Sequence, residues 1–394
     1  MTDQREPLGP ERAGAYGARE LAALVSGEPC LLPALGDPLE APRGSRLYVL
    51  GDVARGALSL GADGARLSAS SCVLGAFDGV HVGHRALVAS ALAEARSEGV
   101  PCVVVTFDPD PSEVLLGTVK GSSLLPVPDR LATLASLGVD AMLVVPFTRD
   151  LAATGYEGFL TSWLIPLLGV RSLHVGVNFR MGAGGRGTVG ALEEVGRALG
   201  VSVWGHELVC EDGSTVSATR IRGLVRAGKV ADAAALLGRA HVVRGVVVHG
   251  RGEGTSFGFP TANLSCDEIQ CLPGEGVYAG LACVDGRVWP TAVNVGKPRS
   301  FGGEEGHAFL EPTLLGFSGD LYDKELSVCF LDWLREPRVF PSLEVLERTV
   351  LGNVEWVRRY VGAGELRLGG PASAAGAGGQ LPDAAPAARG SDAR

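Results

Sequence analysis

Between Gly75 and His84 the chain reads GAFDGVHVGH, three glycines, one aspartate and two histidines within ten positions. A short apolar run, SSCVL, precedes this segment and a helix-like run follows it. Gly75, Gly79 and Gly83 let the backbone turn tightly and approach a ligand closely. A helix beginning near His84 would aim its first N–H groups, and the positive end of its dipole, at whatever binds there. Two imidazoles beside such a terminus suit a polyphosphate. A bound cation would be opposed by the dipole, and helical histidine pairs that ligate metal usually stand at i, i+4 with a carboxylate partner. A zinc site and a purely structural turn remain as the competing readings of the same ten residues.

A second glycine-rich stretch, VVHGRGEGTSFGFPTANL, covers residues 247–264. By composition its GFPTAN run fits an ordinary turn, with Pro260 fixing φ and so presetting the side chains that follow.

Elements must position these loops. From about 70 to 238, β-branched apolar runs (SSCVLGAF, PCVVVTF, AMLVVPF, SLHVGV, VSVWGHE) alternate with helical periodicity (RALVASALAEARSEG, VPDRLATLASLG, YEGFLTSWLIPLLG, VGALEEVGRALG). That alternation predicts a Rossmann-like parallel sheet with helices on both faces, whose ligands bind at the carboxyl ends of the strands. Near residue 240 the rhythm changes to five short β-rich runs (HVVRGVVVHG, GVYAGLACVDG, VWPTAVNVG, AFLEPTLLGF, KELSVCFLDWL) with no helices between them. These predict an antiparallel β-barrel, closed by a terminal amphipathic helix with Ser342 as N-cap. The expected organisation is a poorly structured extension over 1–45, where only ARELAALVSG reads as helical, an α/β domain over 46–238, a barrel over 239–366, and a disordered Gly/Ala/Pro-rich tail over 367–394.

Composition narrows the partners. The 394 residues carry a net charge of −9, which argues against a surface that coats nucleic acid, so any polyanion must be gripped locally by a few donors. No apolar run reaches the ~18 residues of a membrane span, and the polar, charged N-terminus is unlike a secretion signal. Eight scattered cysteines without a C-x-x-C pair read as small hydrophobes in a reducing compartment. A cytoplasmic protein acting on small molecules is the expectation.

The motifs also carry a family resemblance. GAFDGVHVGH is similar to the HxGH signature of the nucleotidylyltransferases and, in its extended form, to the FMN adenylyltransferase module of bacterial bifunctional FAD synthetases. TFDPDP (106–111), VGVNFRMGAGGRG (175–187) and VSATRIRGLVRAGKVADAAALLGR (216–239) follow in the family's order. VVHGRGEGTSFGFPTANL resembles the riboflavin kinase module, whose hallmark is the G-F-P-T-A-N run. The resemblance implies ATP, Mg2+ and the flavins riboflavin, FMN and FAD as cofactor, substrates and products. It implies that His81 and His84 hold the ATP triphosphate on a loop shaped by Gly75, Phe77, Asp78 and Gly83. Asn178 would donate to the nucleotide, while Ser217, Thr219 and Arg222 would take the departing β,γ-phosphates. In the kinase half, Gly250 and Gly254 would lie in the loop whose amides cover the ADP phosphates. Thr261 and Asn263 would offer oxygens to Mg2+, and Glu311 would be the general base for the riboflavin hydroxyl.

Several positions depart from the family pattern. Asp110 stands at a histidine, Ala218 at a serine, and Lys297 and Ser300 at threonines; Pro312, Thr313 and Gly316 flank Glu311, Asp323 replaces a turn glycine, and Thr255 stands at an arginine. They admit two alternatives to a working bifunctional enzyme. One is a paralogue with only the adenylyltransferase half active or with another phosphorylated acceptor; the other is a non-catalytic flavin- or nucleotide-binding regulator.

Overall fold

The structure is a computed structural model that describes residues 9, 10, 12, 14–25, 46–49, 66–117, 119, 121–249, 261–296 and 309–367. The chain forms two compact units.

The first unit takes the described residues between 46 and 119 and those from 127 to 216. Its six strands are β1 (Arg46–Val49), β2 (Ser70–Leu74), β3 (Cys102–Asp108), β4 (Ala141–Pro146), β5 (Val170–Gly176) and β6 (Ser202–His206). All pair in parallel, in the order β1-β4-β3-β2-β5-β6. β2 is buried throughout and β3 up to Asp108, as strands covered on both faces must be, and this is why CVVVTF shows no polar alternation. The core joins Leu74, Val105, Leu143 and Leu173 from the sheet to Leu164, Leu168 and Leu192 from the helical segments. The chain winds outward from β2 through β3 to β4, then returns to add β5 and β6 on the other side. The topological switch point therefore falls between the carboxyl ends of β2 and β5, where an open α/β sheet forms its ligand crevice.

β1 is a strand that the periodicity did not single out; it extends the sheet by pairing Arg46–Val49 with Ala141–Val144. Helix α1 (Ala18–Leu24) coincides with the ARELAALVSG segment. Within the α/β unit, α2 (Val82–Glu98), α3 (Val127–Ser136) and α4 (Val189–Leu199) match three of the four helical periodicities. The fourth is interrupted by a π-helical turn over Leu160–Leu164.

The second unit takes the described residues from 9 to 25, 121–126 and 217–367. Strands β7 (His241–Val248), β8 (Asn263–Cys266), β9 (Gly276–Val284), β10 (Arg287–Gly296), β11 (Phe309–Leu314) and β12 (Glu325–Arg335) close a barrel in the order β7-β8-β11-β10-β9-β12, antiparallel throughout. The closing strand, β8, has only four residues and lacks a β-branched run, so five β-rich runs in the sequence become six strands. Asp285 and Gly286 both take positive φ, 51° and 71°, the pair of left-handed residues that a two-residue hairpin between right-twisted strands requires. Ser342 caps α7 (Leu343–Tyr360) as expected, its Oγ accepting from Val345 N–H at 3.3 Å.

Two features of this unit differ from the sequence-based division of the chain. Helices α5 (Ala218–Arg226) and α6 (Val230–Leu237) belong with the barrel, because Val230 enters the barrel core and Gly274 N–H donates to Val225 O at 3.1 Å. The compact unit therefore starts at Ser217, ahead of the change in rhythm near 240. The described residues between 9 and 25, inside the stretch expected to lack structure, also attach to it. Tyr16 Oη donates to Asp332 Oδ2 at 2.7 Å, Arg12 Nη1 donates to the same oxygen at 3.1 Å, and Trp356 Nε1 donates to Pro10 O at 3.2 Å. Among the described residues no helix is long and apolar enough to cross a membrane.

Candidate active sites

The GAFDGVHVGH loop emerges from the carboxyl end of β2. Phe77 and Val80 take positive φ (57° and 41°) beside Gly79 at 75°, so the chain coils through a short 3-10 turn before entering the helix. α2 starts at Val82, two residues earlier than expected, because His81 is its N-cap: Nδ1 of that imidazole accepts from His84 N–H at 3.3 Å. The cap brings the two rings into a stack with centroids 3.6 Å apart and planes 15° apart. Gly83 leaves room for this contact, since a Cβ there would lie a tight 3.2 Å from the His81 ring. Phe77, buried, meets His84 edge-on at 5.2 Å.

With Nδ1 of His81 committed to the cap, the pair is poorly arranged to share a metal. Among the described residues no three His, Cys, Asp or Glu side chains gather where they could hold one. Burial, then electrostatic interaction with His81 and Arg130, pushes the His84 pKa well below the usual histidine value. His84 is thus a neutral imidazole, and its enclosed Nδ1 finds no hydrogen-bond partner among the described residues. A polyanion would meet two imidazoles and a helix N-terminus at this loop.

Arg130, on α3, holds the loop from below. Only 2% exposed, it donates from Nη1 to Ala76 O and from Nη2 to Phe107 O, both at 2.8 Å, and so ties the loop after β2 to the end of β3. Thr106 Oγ1 adds a bond to Ala76 O at 3.2 Å, and Arg85 Nε one to Val80 O at 3.3 Å. Burial lowers the Arg130 pKa, while Asp110, Asp78, Asp108 and Glu113 oppose that shift. The motifs gave no role to Arg130. Its signal was present in VPDRLATLASLG, a cation on the same helical stripe as Leu134, where an apolar residue would ordinarily stand.

Asp110, the residue in place of a family histidine, is engaged rather than free to face a nucleotide. Its Oδ1 accepts from Ser112 N–H at 2.9 Å and from Ser112 Oγ at 2.7 Å, capping the short helix Pro111–Leu116, and its Oδ2 lies 3.8 Å from Arg130 Nη1. Asn178 follows β5, on the other side of the switch point. It is exposed, and a Cβ on Gly176 would lie 3.3 Å from its Oδ1. His81, His84 and Asn178 therefore share the carboxyl edge of neighbouring parallel strands. Ser217, Thr219 and Arg222 lie in the other compact unit, Ser217 as the N-cap of α5 and the other two within its first two turns. Ser217 Oγ caps that helix by accepting from Arg220 N–H at 3.2 Å, and Arg222 Nη2 donates to Thr219 Oγ1 at 3.2 Å.

On the barrel, strand register assembles a second polar group. Thr261 bridges to Thr313 and Leu264 pairs with Leu310, so Asn263 stands opposite Glu311; the other neighbour of Glu311 is Asn294. Directly opposed residues of antiparallel strands point to the same face. Ala262, Leu264, Leu310, Leu314, Val293 and Val295 fill the barrel core, so the alternate positions Thr261, Asn263, Asn294 and Glu311 face outward together. Pro312 accepts from Ala262 N–H at 3.0 Å but has no N–H to return, which explains why the β8–β11 ladder is reduced to isolated contacts here. A hydroxyl, an amide oxygen and a carboxylate form the kind of oxygen donor set that Mg2+ prefers. Gly250 and Gly254, together with Pro260, Thr255, Lys297 and Ser300, lie outside the described residues.

Buried neutral histidines give both units an acid-labile core. Burial pushes His174 down to about 3 and His241 down to about 4; the Nε2–H of His241 donates to Cys271 O at 2.7 Å. Below about pH 6.5 the unfolded chain takes up protons that these folded histidines refuse. Stability is therefore full above that pH and falls on acidification towards the folded-state values, by up to about 1.4 kcal/mol per pH unit for each histidine. Urea midpoints at pH 7.5 and pH 5 check this, and an unchanged midpoint contradicts it.

An α/β unit with stacked histidines capping a helix at the switch point, and a closed antiparallel barrel with an outward Thr-Asn-Glu group, define a two-part phosphate-handling enzyme. Two family models match the chain, FAD synthetase over residues 64–220 and riboflavin kinase over 237–361. The bifunctional riboflavin kinase/FMN adenylyltransferase of Pseudomonas fluorescens is 36% identical over 285 residues, covering 72% of this chain and 91% of that protein. Its counterpart from Escherichia coli (strain K12) is 34% identical, covering 74% and 93%. A solved structure described as a macrolide-efflux protein from Streptococcus pneumoniae superposes with a TM-score of 0.65 at 28% identity, covering 74% of this chain and 94% of that one. The chain belongs to the bifunctional riboflavin kinase/FMN adenylyltransferase family.

Proposed function

We propose that this protein makes FAD from riboflavin in two ATP-dependent steps, with residues 239–366 phosphorylating riboflavin to FMN and residues 46–238 transferring AMP onto FMN with release of pyrophosphate. The observation that carries the second step is the stacked His81–His84 pair at the N-terminus of α2, with an enclosed, unpartnered Nδ1 on His84. Adenylyl transfer is an in-line attack by a phosphate oxygen on the α-phosphorus of ATP, so positioning and charge stabilisation suffice. His81 and His84 hold the triphosphate on the loop of Gly75, Phe77, Asp78 and Gly83, and Asn178 donates across the switch point. Ser217, Thr219 and Arg222 receive the leaving phosphates; a planar, permanently charged guanidinium suits that task better than an ammonium.

In the kinase half, Glu311 takes the proton from the riboflavin 5′-hydroxyl as it attacks the γ-phosphorus of ATP. Thr261 and Asn263 would hold Mg2+ through their side-chain oxygens. When bound, Mg2+ neutralises phosphate charge. The capped and ion-paired Asp110 adds no unengaged anion to the adenylylation site, which supports FMN as the acceptor over a changed substrate. We place the enzyme in the cytoplasm, acting on small molecules.

The test is incubation with riboflavin, ATP and Mg2+ followed by separation of the flavins. FMN and then FAD are expected; riboflavin left untouched together with unconverted added FMN would sink the proposal. His84→Ala is expected to lower FAD formation from FMN by about 10²- to 10³-fold, the cost of removing one preorganised donor, while riboflavin phosphorylation proceeds at the normal rate.

A further inference from the structure

Outside these groups the α/β unit holds a second set of ionisable side chains. Glu94 on α2, His174 in the middle of β5 and His206 at the carboxyl end of β6 form a chain. Glu94 Oε2 lies 3.0 Å from His174 Nε2, and His174 Nδ1 lies 2.9 Å from His206 Nε2. The His174 and His206 rings stack at 5.1 Å and 21°. His174 is 2% exposed within the sheet, an expensive place for an imidazole unless it is paired. Ser172 beside it donates to Ser71 Oγ at 2.9 Å, so polar groups from β2, β5, β6 and α2 meet here. Burial raises the Glu94 pKa, as does Glu98, while Trp204 and Ser172 lower it. Burial lowers both histidines, His174 with a further contribution from His206.

Glu94 lies at ion-pair distance from His174 Nε2, which makes no hydrogen bond among the described residues, so the bonded link of the group is His174 Nδ1 to His206 Nε2, one ring donating and the other accepting.

The far end of this chain is the base of the segment that packs on the adenylylation site. His206 pairs with Gly176 and accepts from Val177 N–H at 2.8 Å, immediately before Asn178. Three residues on, Val209 Cβ lies 3.9 Å from where a Cβ on Gly83 would stand, between His81 and His84. Leu208 Cδ2 lies 3.6 Å from the corresponding point on Gly176. Residues 206–209 therefore run beside Gly83 and Gly176, and Glu94 belongs to the same helix that His81 caps.

We propose that Glu94, His174 and His206 are positioning residues for adenylyl transfer, fixing residues 206–209 against Gly83 and Gly176 so that His81, His84 and Asn178 keep the spacing the triphosphate needs. The proposal rests on the adenylyl-transfer reading of that site. None of the three touches the reacting atoms; they act through the strand end and the helix.

The test compares His206→Leu, His206→Gln and His174→Leu in the full-length protein, measuring FMN adenylylation and riboflavin phosphorylation, with circular dichroism and urea unfolding of the same preparations as the check on folding of the α/β unit. Glutamine presents an N–H close to the position of Nε2 and keeps the bond to His174, whereas leucine keeps only the bulk. His206→Leu and His174→Leu are expected to lower adenylylation kcat/KM roughly 10- to 100-fold, through KM for ATP as well as kcat, since small misplacements of reacting groups are costly. His206→Gln is expected to stay within about threefold of the parent, and phosphorylation to stay unchanged in all three. Equal loss in His206→Leu and His206→Gln, or no loss in His206→Leu, overturns the positioning role. Failure of the unmodified protein to adenylylate FMN overturns the underlying site reading instead, so the two failures are distinct.

Discussion

Glu311→Gln is expected to abolish riboflavin phosphorylation, with a loss on the order of 10²- to 10⁴-fold, and to leave FMN adenylylation intact. The 5′-hydroxyl of riboflavin is a weak nucleophile at neutral pH, and a base that accepts its proton in the transition state contributes an effect of this size. Register places Glu311 on β11 between Asn263 and Asn294, on the outward face shared with Thr261. Glutamine preserves size and polarity but cannot take the proton, so little change in fold should accompany the loss. The substitution lies in the barrel, whereas His81, His84 and Asn178 belong to the other compact unit. Following conversion of riboflavin to FMN, and separately of FMN to FAD, decides the matter. Equal loss of both activities refutes the division of labour between the halves.

The second large effect is expected at Arg130. Replacing it by methionine keeps an unbranched chain but removes both donors to Ala76 O and Phe107 O. It also strips the counter-charge from Asp78 and Asp110, the former almost fully buried. Breaking a buried charged pair from one side typically costs about 3–5 kcal/mol, because the partner is left uncompensated in a poorly solvating place. Arg130→Met should lower stability by that amount and reduce adenylylation further, since the loop carrying His81 and His84 loses its anchor. Arg130→Lys retains the charge but not the two-pronged reach, so an intermediate loss is expected. Urea unfolding followed alongside FAD formation tests both variants; a change below about 1 kcal/mol for the methionine variant contradicts the anchoring role.

The parallel sheet and the antiparallel barrel were both legible because each has a distinct period. Buried parallel strands such as CVVVTF read as continuous apolar runs between helical repeats, and the barrel reads as short runs broken by turns. β8 escaped because four residues, Asn263–Cys266, are too few to show any period. The partition at Ser217 escaped for a different reason. α5 and α6 have ordinary helical patterns that fit either unit, and only the burial of Val230 in the barrel core assigns them.

The sequence by itself determined the chemistry-bearing loops, because a glycine-rich turn between a strand and a helix N-terminus is built within about ten residues. Local φ preferences and a capping side chain, here His81, suffice to specify it. Only the tertiary structure decided which distant side chains complete the sites. Arg130 beneath Ala76, Ser112 and Arg130 around Asp110, Asn263 facing Glu311, and the Glu94–His174–His206 chain all depend on strand order and register. A shift of one residue in a strand turns every side chain to the opposite face. That choice is made by the packing of the whole sheet or barrel, and no local stretch of sequence contains it.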